Sequence, residues 1–384
     1  MTPATETPPG SRPVRLPAEI LWAEELAALR AQDDARRAAG WRLSPRAVRT
    51  FIVGGDKKGL THDWQGRATT TVIRRKFYGD DTLIDRCIVT LLGNRGLMLV
   101  GEPGTAKSML SELLAAAVCG VSTHTVQGTA GTTEDQIKYS WNYALLLAEG
   151  PSPRALVPSP VYTGMRTGGV VRFEEITRCQ PEIQDSLVSI LSEKVLHVPE
   201  LSGAESVLYA ERGFNVIATA NLRDRGVNEM SSALKRRFNF ETVQPIAEKK
   251  LEIQLVTEQT AALLREADVD LALPADVIDV LVTTFHDLRV GRTEEGTTLE
   301  RSSTVMSTAE AVAVGVSAGL DAFYFGNARL EPGHVARQLV GSVLKDNPDD
   351  AKKLQHYFDV VVKARARKHA AWQAYYEARK HLGV

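Results

Sequence analysis

The chain changes its hydrophobic rhythm twice. From about residue 69 to residue 243, short β-branched or apolar runs alternate with stretches whose apolar residues recur at helical spacing. The runs are Leu97 to Val100, Thr123 to Gln127, Val170 to Glu174 and Asn215 to Thr219. Buried runs of that length between amphipathic helices predict a parallel sheet covered by helices. Beyond Pro245 the strand signal stops. A 3.6-residue period there predicts helices from Ala247 to Ala267, Pro274 to Leu288, Val305 to Phe325, Gly333 to Leu344 and Asp349 to about Lys380. Ahead of the sheet region, Ile20, Leu21, Leu26 and Leu29 lie at helical spacing between Pro17 and Asp34. Ser44-Pro45 is a cap followed by a first-turn proline, which starts a second helix. The polar, glycine-containing stretch Gly54 to Gly66 reads as a loop. The expected organisation is a Pro-rich flexible arm over 1–16, a helical prefix and linker over 17–68, an α/β domain over 69–244, an all-helical domain over 245–346 and a basic helical extension over 347–384.

Composition narrows the classes. At roughly 150 residues per domain, 384 residues make two to three domains with ample core. Forty-six Lys plus Arg against 47 Asp plus Glu give a net charge of −1, with 43% hydrophobic residues, which excludes wholesale disorder and a basic protein that coats nucleic acid. Cys87, Cys119 and Cys179 are far apart and outside any C-x-x-C spacing, so neither a disulfide framework nor a zinc site is expected, and a reducing cytoplasm fits best. The longest small-apolar stretch, Ala311 to Leu320, ends at Asp321, short of the roughly 20 residues a membrane helix needs. The start, MTPATETPPGSRPVR, lacks the basic-then-apolar pattern of a secretory signal. No H-E-x-x-H is present, and the one G-x-S-x-G, Gly315 to Gly319, lies inside the helical stretch Val305 to Phe325 and not at a strand-to-helix turn, so neither zinc-protease nor hydrolase-triad chemistry is expected.

The strongest chemical signal is Gly101-Glu102-Pro103-Gly104-Thr105-Ala106-Lys107-Ser108, set directly after an apolar strand and before an amphipathic helix opened by Met109. A phosphate-binding loop needs that context: glycines let backbone N–H groups curl around phosphate oxygens, and the helix N-terminus adds partial positive charge. Lys107 would reach the β- and γ-phosphates of ATP, and Ser108 would bind Mg2+. Ala106 stands where the strict pattern has glycine, which a backbone already helical at that point would tolerate. Some seventy residues later, Val170-Val171-Arg172-Phe173-Glu174-Glu175 is an apolar strand ending in two acids. A neighbouring parallel strand would bring them beside the loop, Glu174 near magnesium and Glu175 polarising the attacking water. Asn221 ends the next buried strand, where an amide could hold that water or the γ-phosphate. Lys235, Arg236 and Arg237 follow on a short helix, from which one cation could reach a neighbouring subunit's γ-phosphate.

In this order, GEPGTAKS, VVRFEEITRCQPEIQDSLVSILSEKVL, GFNVIATANLRDRG and SSALKRRF resemble the MoxR-type AAA+ ATPases, in detail from about Lys76 to Arg237 and more loosely to about Lys345. The resemblance implies the P-loop AAA+ fold, a parallel sheet flanked by helices, with 245–346 as an all-helical lid. It matches Lys107 and Ser108 to Walker A, Glu174 and Glu175 to Walker B, Asn221 to sensor 1, and Arg237 to the finger arginine, with Arg236 as alternative. It further implies ATP and Mg2+ as cofactors, a homo-oligomeric ring, usually a hexamer, and a remodelling role with a partner carrying a von Willebrand factor A domain. By the same resemblance Leu196 to Gly213 is a hairpin, and Gly128 to Leu146 carries an inserted segment.

Two departures bear on turnover. Glu174 replaces the usual aspartate, carrying its carboxylate about 1.5 Å further out, so slow hydrolysis is expected. The second-sensor pattern Gly-x-Ser-x-Arg falls on Arg301-Ser302-Ser303-Thr304-Val305 with valine in the arginine's place, and no second-sensor residue is assigned. The alternative function is a nucleotide-dependent switch or scaffold with negligible turnover. A nucleic-acid motor is less favoured and draws only on the C-terminal segment, where Lys363, Arg365, Arg367, Lys368, Arg379 and Lys380 interleave with Trp372, Tyr375 and Tyr376.

Overall fold

The computed structural model describes residues 13–221, 227–302, 306–343 and 348–382. The chain divides into two compact units, Met1–Val100 with Lys107–Thr242 and Gly101–Ala106 with Val243–Val384.

The first unit begins with helices Ala18–Leu21 and Ala23–Gln32. In the helix Pro45–Val53 the Ser44 hydroxyl accepts the Ala47 N–H at 3.2 Å, so the cap-then-proline pair performs as read. The stretch expected as a loop instead contains a hairpin of β1 (Leu60–Trp64) and β2 (Arg67–Thr71). Its turn, Gln65-Gly66, has positive φ at both positions, the backbone that two-residue hairpins favour. The strands were hidden because they are mostly polar: Thr61 and Thr70 face each other with hydroxyls 3.0 Å apart, and only His62 and Thr71 are buried.

The remaining strands of this unit are β3 (Gly96–Gly101), β4 (Thr125–Gln127), β5 (Tyr139–Trp141), β6 (Leu156–Pro158), β7 (Val170–Glu174), β8 (Val195–His197), β9 (Val207–Tyr209), β10 (Asn215–Asn221) and β11 (Phe238–Thr242). Five form one sheet in the order β11-β3-β10-β7-β4. The β11–β3, β10–β7 and β4–β7 pairs are parallel. Every residue of β3 and β7 is buried, and β10 is buried up to Asn221; the helix Lys107–Cys119 packs on β7 and β10, and Pro160–Thr167 on β7. Each fully buried side chain, Leu97 or Phe173 for example, contributes roughly 1.5–3 kcal/mol. The fifth strand, β11, escaped the hydrophobic pattern: it is an edge strand that buries Phe238 and leaves Phe240 46% exposed. The expected hairpin between Leu196 and Gly213 is β8 paired with β9. The inserted segment runs further than expected, as β5, the helix Tyr143–Glu149 and β6.

The second unit is helical: Lys249–Glu266, Ala275–Val290, Thr308–Tyr324, Pro332–Val343 and Pro348–Tyr357, the last continuing through a π-turn, Phe358–Val362, into Lys363–Ala366. The small-residue stretch within Thr308–Tyr324 is a packing ridge. A Cβ on Gly315 would come within 2.8 Å of Thr260, and one on Gly319 within 2.8 Å of Leu264. No helix among the described residues is long and apolar enough to cross a membrane. The single long C-terminal helix expected from Asp349 onward is instead broken at Arg367–His369, followed by Ala370–Glu377. Trp372 and Tyr375, which the sequence interleaves with cations, are buried in the core of this unit together with Tyr357 and Phe358.

Candidate functional site

Within the first unit the sheet brings the ends of β7 and β10 beside the helix that Lys107 opens. Ser108 is exposed at that helix start and donates its hydroxyl to Glu174 Oε2 at 2.7 Å. Glu174 itself is buried. Its Oε2 also accepts from Thr219 at 2.8 Å, while Oε1 accepts from Ser111 at 2.7 Å and from the Arg172 guanidinium at 2.7 Å. Burial alone would push this carboxyl up. The Ser108 hydroxyl, the Arg172 charge and the Ser111 and Thr219 hydroxyls outweigh that and hold it below the ordinary carboxylate value.

Glu175 follows in the left-handed region, φ 54° and ψ 47°, a conformation that costs a non-glycine residue roughly 1 kcal/mol or more. The surroundings impose it. Its N–H donates to Thr219 Oγ at 2.9 Å, and a Cβ on the adjacent Gly128 would sit 2.3 Å from its carbonyl oxygen, so only glycine lets β4 lead this close. The Glu175 carboxylate, partly exposed, accepts from Asn221 Nδ2 at 3.3 Å and forms an ion pair with Arg178 one turn on. A carboxylate poised at a strand end beside an amide is a geometry for orienting water.

Lys107 is buried, and Met109 is 40% exposed on the helix. The loop Gly101–Ala106, which belongs to the second unit, turns through Gly104 at φ 74°, where a Cβ would strike the Ser307 side chain at 2.3 Å. Thr105 donates its hydroxyl to the Glu102 carbonyl at 2.9 Å, and Pro103 lies between them in the turn. Ala106 corrects one expectation: its φ is 67°, left-handed and not helical, so the alanine sits where glycine would be relaxed.

Two family descriptions match the chain, "AAA domain (dynein-related subfamily)" over residues 96–238 and "YehL-like AAA+ ATPase C-terminal domain" over residues 250–383. The uncharacterized protein YehL of Escherichia coli (strain K12) is 49% identical over 368 residues, 96% of this chain and 97% of that protein. The chain belongs to the YehL-like AAA+ ATPases. A protein of Staphylococcus haemolyticus is 29% identical over 145 residues, and the match spans 38% of this chain and about half (54%) of that relative. Among solved structures, NtrX from Brucella abortus in complex with ATP aligns with TM-score 0.47 at 12% identity, over 79% of this chain and 64% of NtrX. A putative ATPase from Cytophaga hutchinsonii aligns with TM-score 0.36 at 14% identity, over 70% and 82%.

In this YehL-like ATPase, Arg236 is exposed, and its side chain makes no hydrogen bond or ion pair among the described residues. Arg237 donates to Ser192 Oγ at 2.7 Å and to the Ala233 carbonyl at 3.2 Å. Of the second-sensor segment, Ser303, Thr304 and Val305 lie outside the described residues. The helix that follows is capped by Ser307 and opens Thr308-Ala309-Glu310, without an arginine in its first turn. Cys179 is fully buried against the sheet, and burial pushes its thiol up, as a packed apolar residue requires. Arg172, Ser111 and Thr219 were not singled out from sequence. Each shares a face with a residue that was: Arg172 is two from Glu174 on β7, Thr219 two from Asn221 on β10, and Ser111 three from Ser108 on its helix.

Proposed function

We propose that this YehL-like AAA+ ATPase hydrolyses ATP with magnesium and works in the cytoplasm as a homo-oligomeric ring, hexameric in our reading, that remodels or assembles a protein partner. A partner with a von Willebrand factor A domain is carried over from the MoxR resemblance. The observation that carries the reading is the 2.7 Å hydrogen bond between Ser108 and Glu174, with Glu175 and Asn221 paired one residue beyond it. A serine hydroxyl is a hard oxygen donor that magnesium takes when substrate phosphates and water complete its shell, and the ionised carboxylate beside it supplies charge, so these residues fit the ion. Bound there, magnesium would supply charge neutralisation to the β- and γ-phosphates.

The chain's own groups do the rest. Backbone N–H groups of Gly101–Ala106 and the Lys107 ammonium hold the phosphates. Glu175 accepts a proton from the attacking water while Asn221 fixes that water's position. Arg237, or the exposed Arg236, reaches the γ-phosphate of a neighbouring subunit. Glu175→Gln is expected to keep ATP binding and to lower phosphate release at least a hundredfold, a loss typical of a missing general base. Undiminished release would remove Glu175 from this role. ATP-dependent capture of a protein on the Glu175→Gln variant tests the remodelling role.

One observation favours a second reading, the nucleotide switch with little turnover: the Glu175 carboxylate is engaged by Arg178. Steady-state phosphate release by pure protein, with and without partner, separates the two.

A further inference from the structure

Glu174 has four chain donors for its four lone-pair directions. Arg172 and Ser111 fill Oε1, and Ser108 and Thr219 fill Oε2. Arg172 lies inside a buried strand, where an unpaired guanidinium would be costly, and each of its three nitrogens donates. Nε donates to Ser111 Oγ at 2.8 Å, one terminal nitrogen to the Ser122 carbonyl at 3.1 Å, and the other to the Ser108 carbonyl at 3.0 Å as well as to Glu174. Ser111 accepts the Arg172 Nε–H, and its one hydroxyl proton lies between Glu174 Oε1 at 2.7 Å and the Ser108 carbonyl at 2.8 Å, so the hydroxyl ties the strand to the helix.

We infer that Arg172 and Ser111 are positioning residues that lock Glu174 in place, so that its carboxylate serves magnesium by orienting the Ser108 hydroxyl. With four donors within hydrogen-bond reach of its two oxygens, direct ligation by Glu174 would displace one of them. Donating its proton to Oε2 leaves Ser108 lone pairs for a cation. The pair also accounts for glutamate at this position. An aspartate carboxylate would end about 1.5 Å short of where the Arg172 fork and Ser111 meet it. The inference rests on the reading that Ser108 serves a nucleotide-bound magnesium.

The test is magnesium titration of binding of a fluorescent N-methylanthraniloyl ADP to the full chain, for wild type, Ser111→Ala and Arg172→Lys. Lysine keeps the charge but lacks the fork. Both variants should hold wild-type nucleotide affinity in EDTA to within about twofold, yet need about tenfold more magnesium for half of the magnesium-dependent gain, as loss of a group supporting a ligand does. Arg172→Met should lower the melting temperature, and Arg172→Met with Glu174→Gln should restore it, since the second change removes the stranded charge. Wild-type titration curves from Ser111→Ala and Arg172→Lys, with wild type itself responding to magnesium, would overturn the inference and leave the proposed function standing. Absence of nucleotide uptake by folded wild type would overturn both.

Discussion

Glu175 illustrates what a single residue holds in this fold. Its left-handed backbone is fixed by Thr219 and by the close approach of Gly128, while its carboxylate is shared between Asn221 and Arg178. In the proposed role, taking a proton from water requires Glu175 to give up the Arg178 pair. The Arg178 side chain is 46% exposed, and exposed pairs are worth about 0.2–1 kcal/mol, or roughly 1.4- to 5-fold in a rate. Arg178→Ala is therefore expected to raise steady-state phosphate release within that range; a fall would show that Arg178 assists the reaction. Ala106 holds strain of the same kind, φ 67°, with a methyl group and no compensating hydrogen bond from its side chain. Ala106→Gly should raise the melting temperature by about 1–3 °C, read by differential scanning fluorimetry, because the lost strain exceeds the added freedom of the unfolded chain. Ser108 with Glu174 and Glu175 with Asn221, which the fold pairs, were legible because each stands in a short motif beside its own strand. Arg172 and Ser111 were not, because what they do is defined by partners some sixty residues away.

At the scale of elements, the helices of the second unit are joined by a buried acid. Glu252, on Lys249–Glu266, is fully buried and meets Arg289 of Ala275–Val290 in two bonds of 2.9 and 2.6 Å, with Thr308 donating at 2.6 Å from the next helix. Burial would raise its carboxyl, but His286, Arg289 and Thr308 hold it down at about 2. The group's pKa is depressed, so its contribution is complete above the unfolded value near 4.5 and is lost as pH falls from there toward 2. That shift corresponds to roughly 3 kcal/mol. Circular dichroism should show helical signal and melting temperature falling over this interval, and Glu252→Gln should lower stability at pH 7 while flattening the acid dependence. An unchanged acid profile in Glu252→Gln would assign the loss to other carboxylates. Amphipathic spacing found these helices to within a few residues, because burial of one apolar face is what sets both pattern and packing. The same logic missed β1 and β2, whose exposed threonines give no apolar alternation, and joined the C-terminal helices across Arg367–His369, where neither proline nor glycine marks the break.

For the whole molecule, net charge near zero places any charged-surface function on local clusters, and the C-terminal segment is the one the sequence offered. There, Arg365 is inside: it pairs with Asp287 at 2.7 Å and Glu295 at 2.7 Å, and its guanidinium lies 4.7 Å from the centre of the Trp372 ring. Deleting 361–384 would therefore strip Val361, Val362, Trp372 and Tyr375 from the core, each large side chain being worth about 2–5 kcal/mol, and leave Asp287 buried without its cation. Such a truncation should melt far below wild type or fail to fold, whatever the surface does. The exposed cations Lys363, Arg367, Lys368, Arg379 and Lys380 can be exchanged for glutamine together, since they lie outside that core. The fivefold variant should melt within about 2 °C of wild type, as surface changes do, and both proteins should release phosphate at a rate indifferent to duplex DNA. Stimulation by DNA in wild type that disappears in the variant would make this end of the chain a nucleic-acid surface. Indifference in both leaves the cations as the solvated side of a C-terminal segment whose other side completes the second unit.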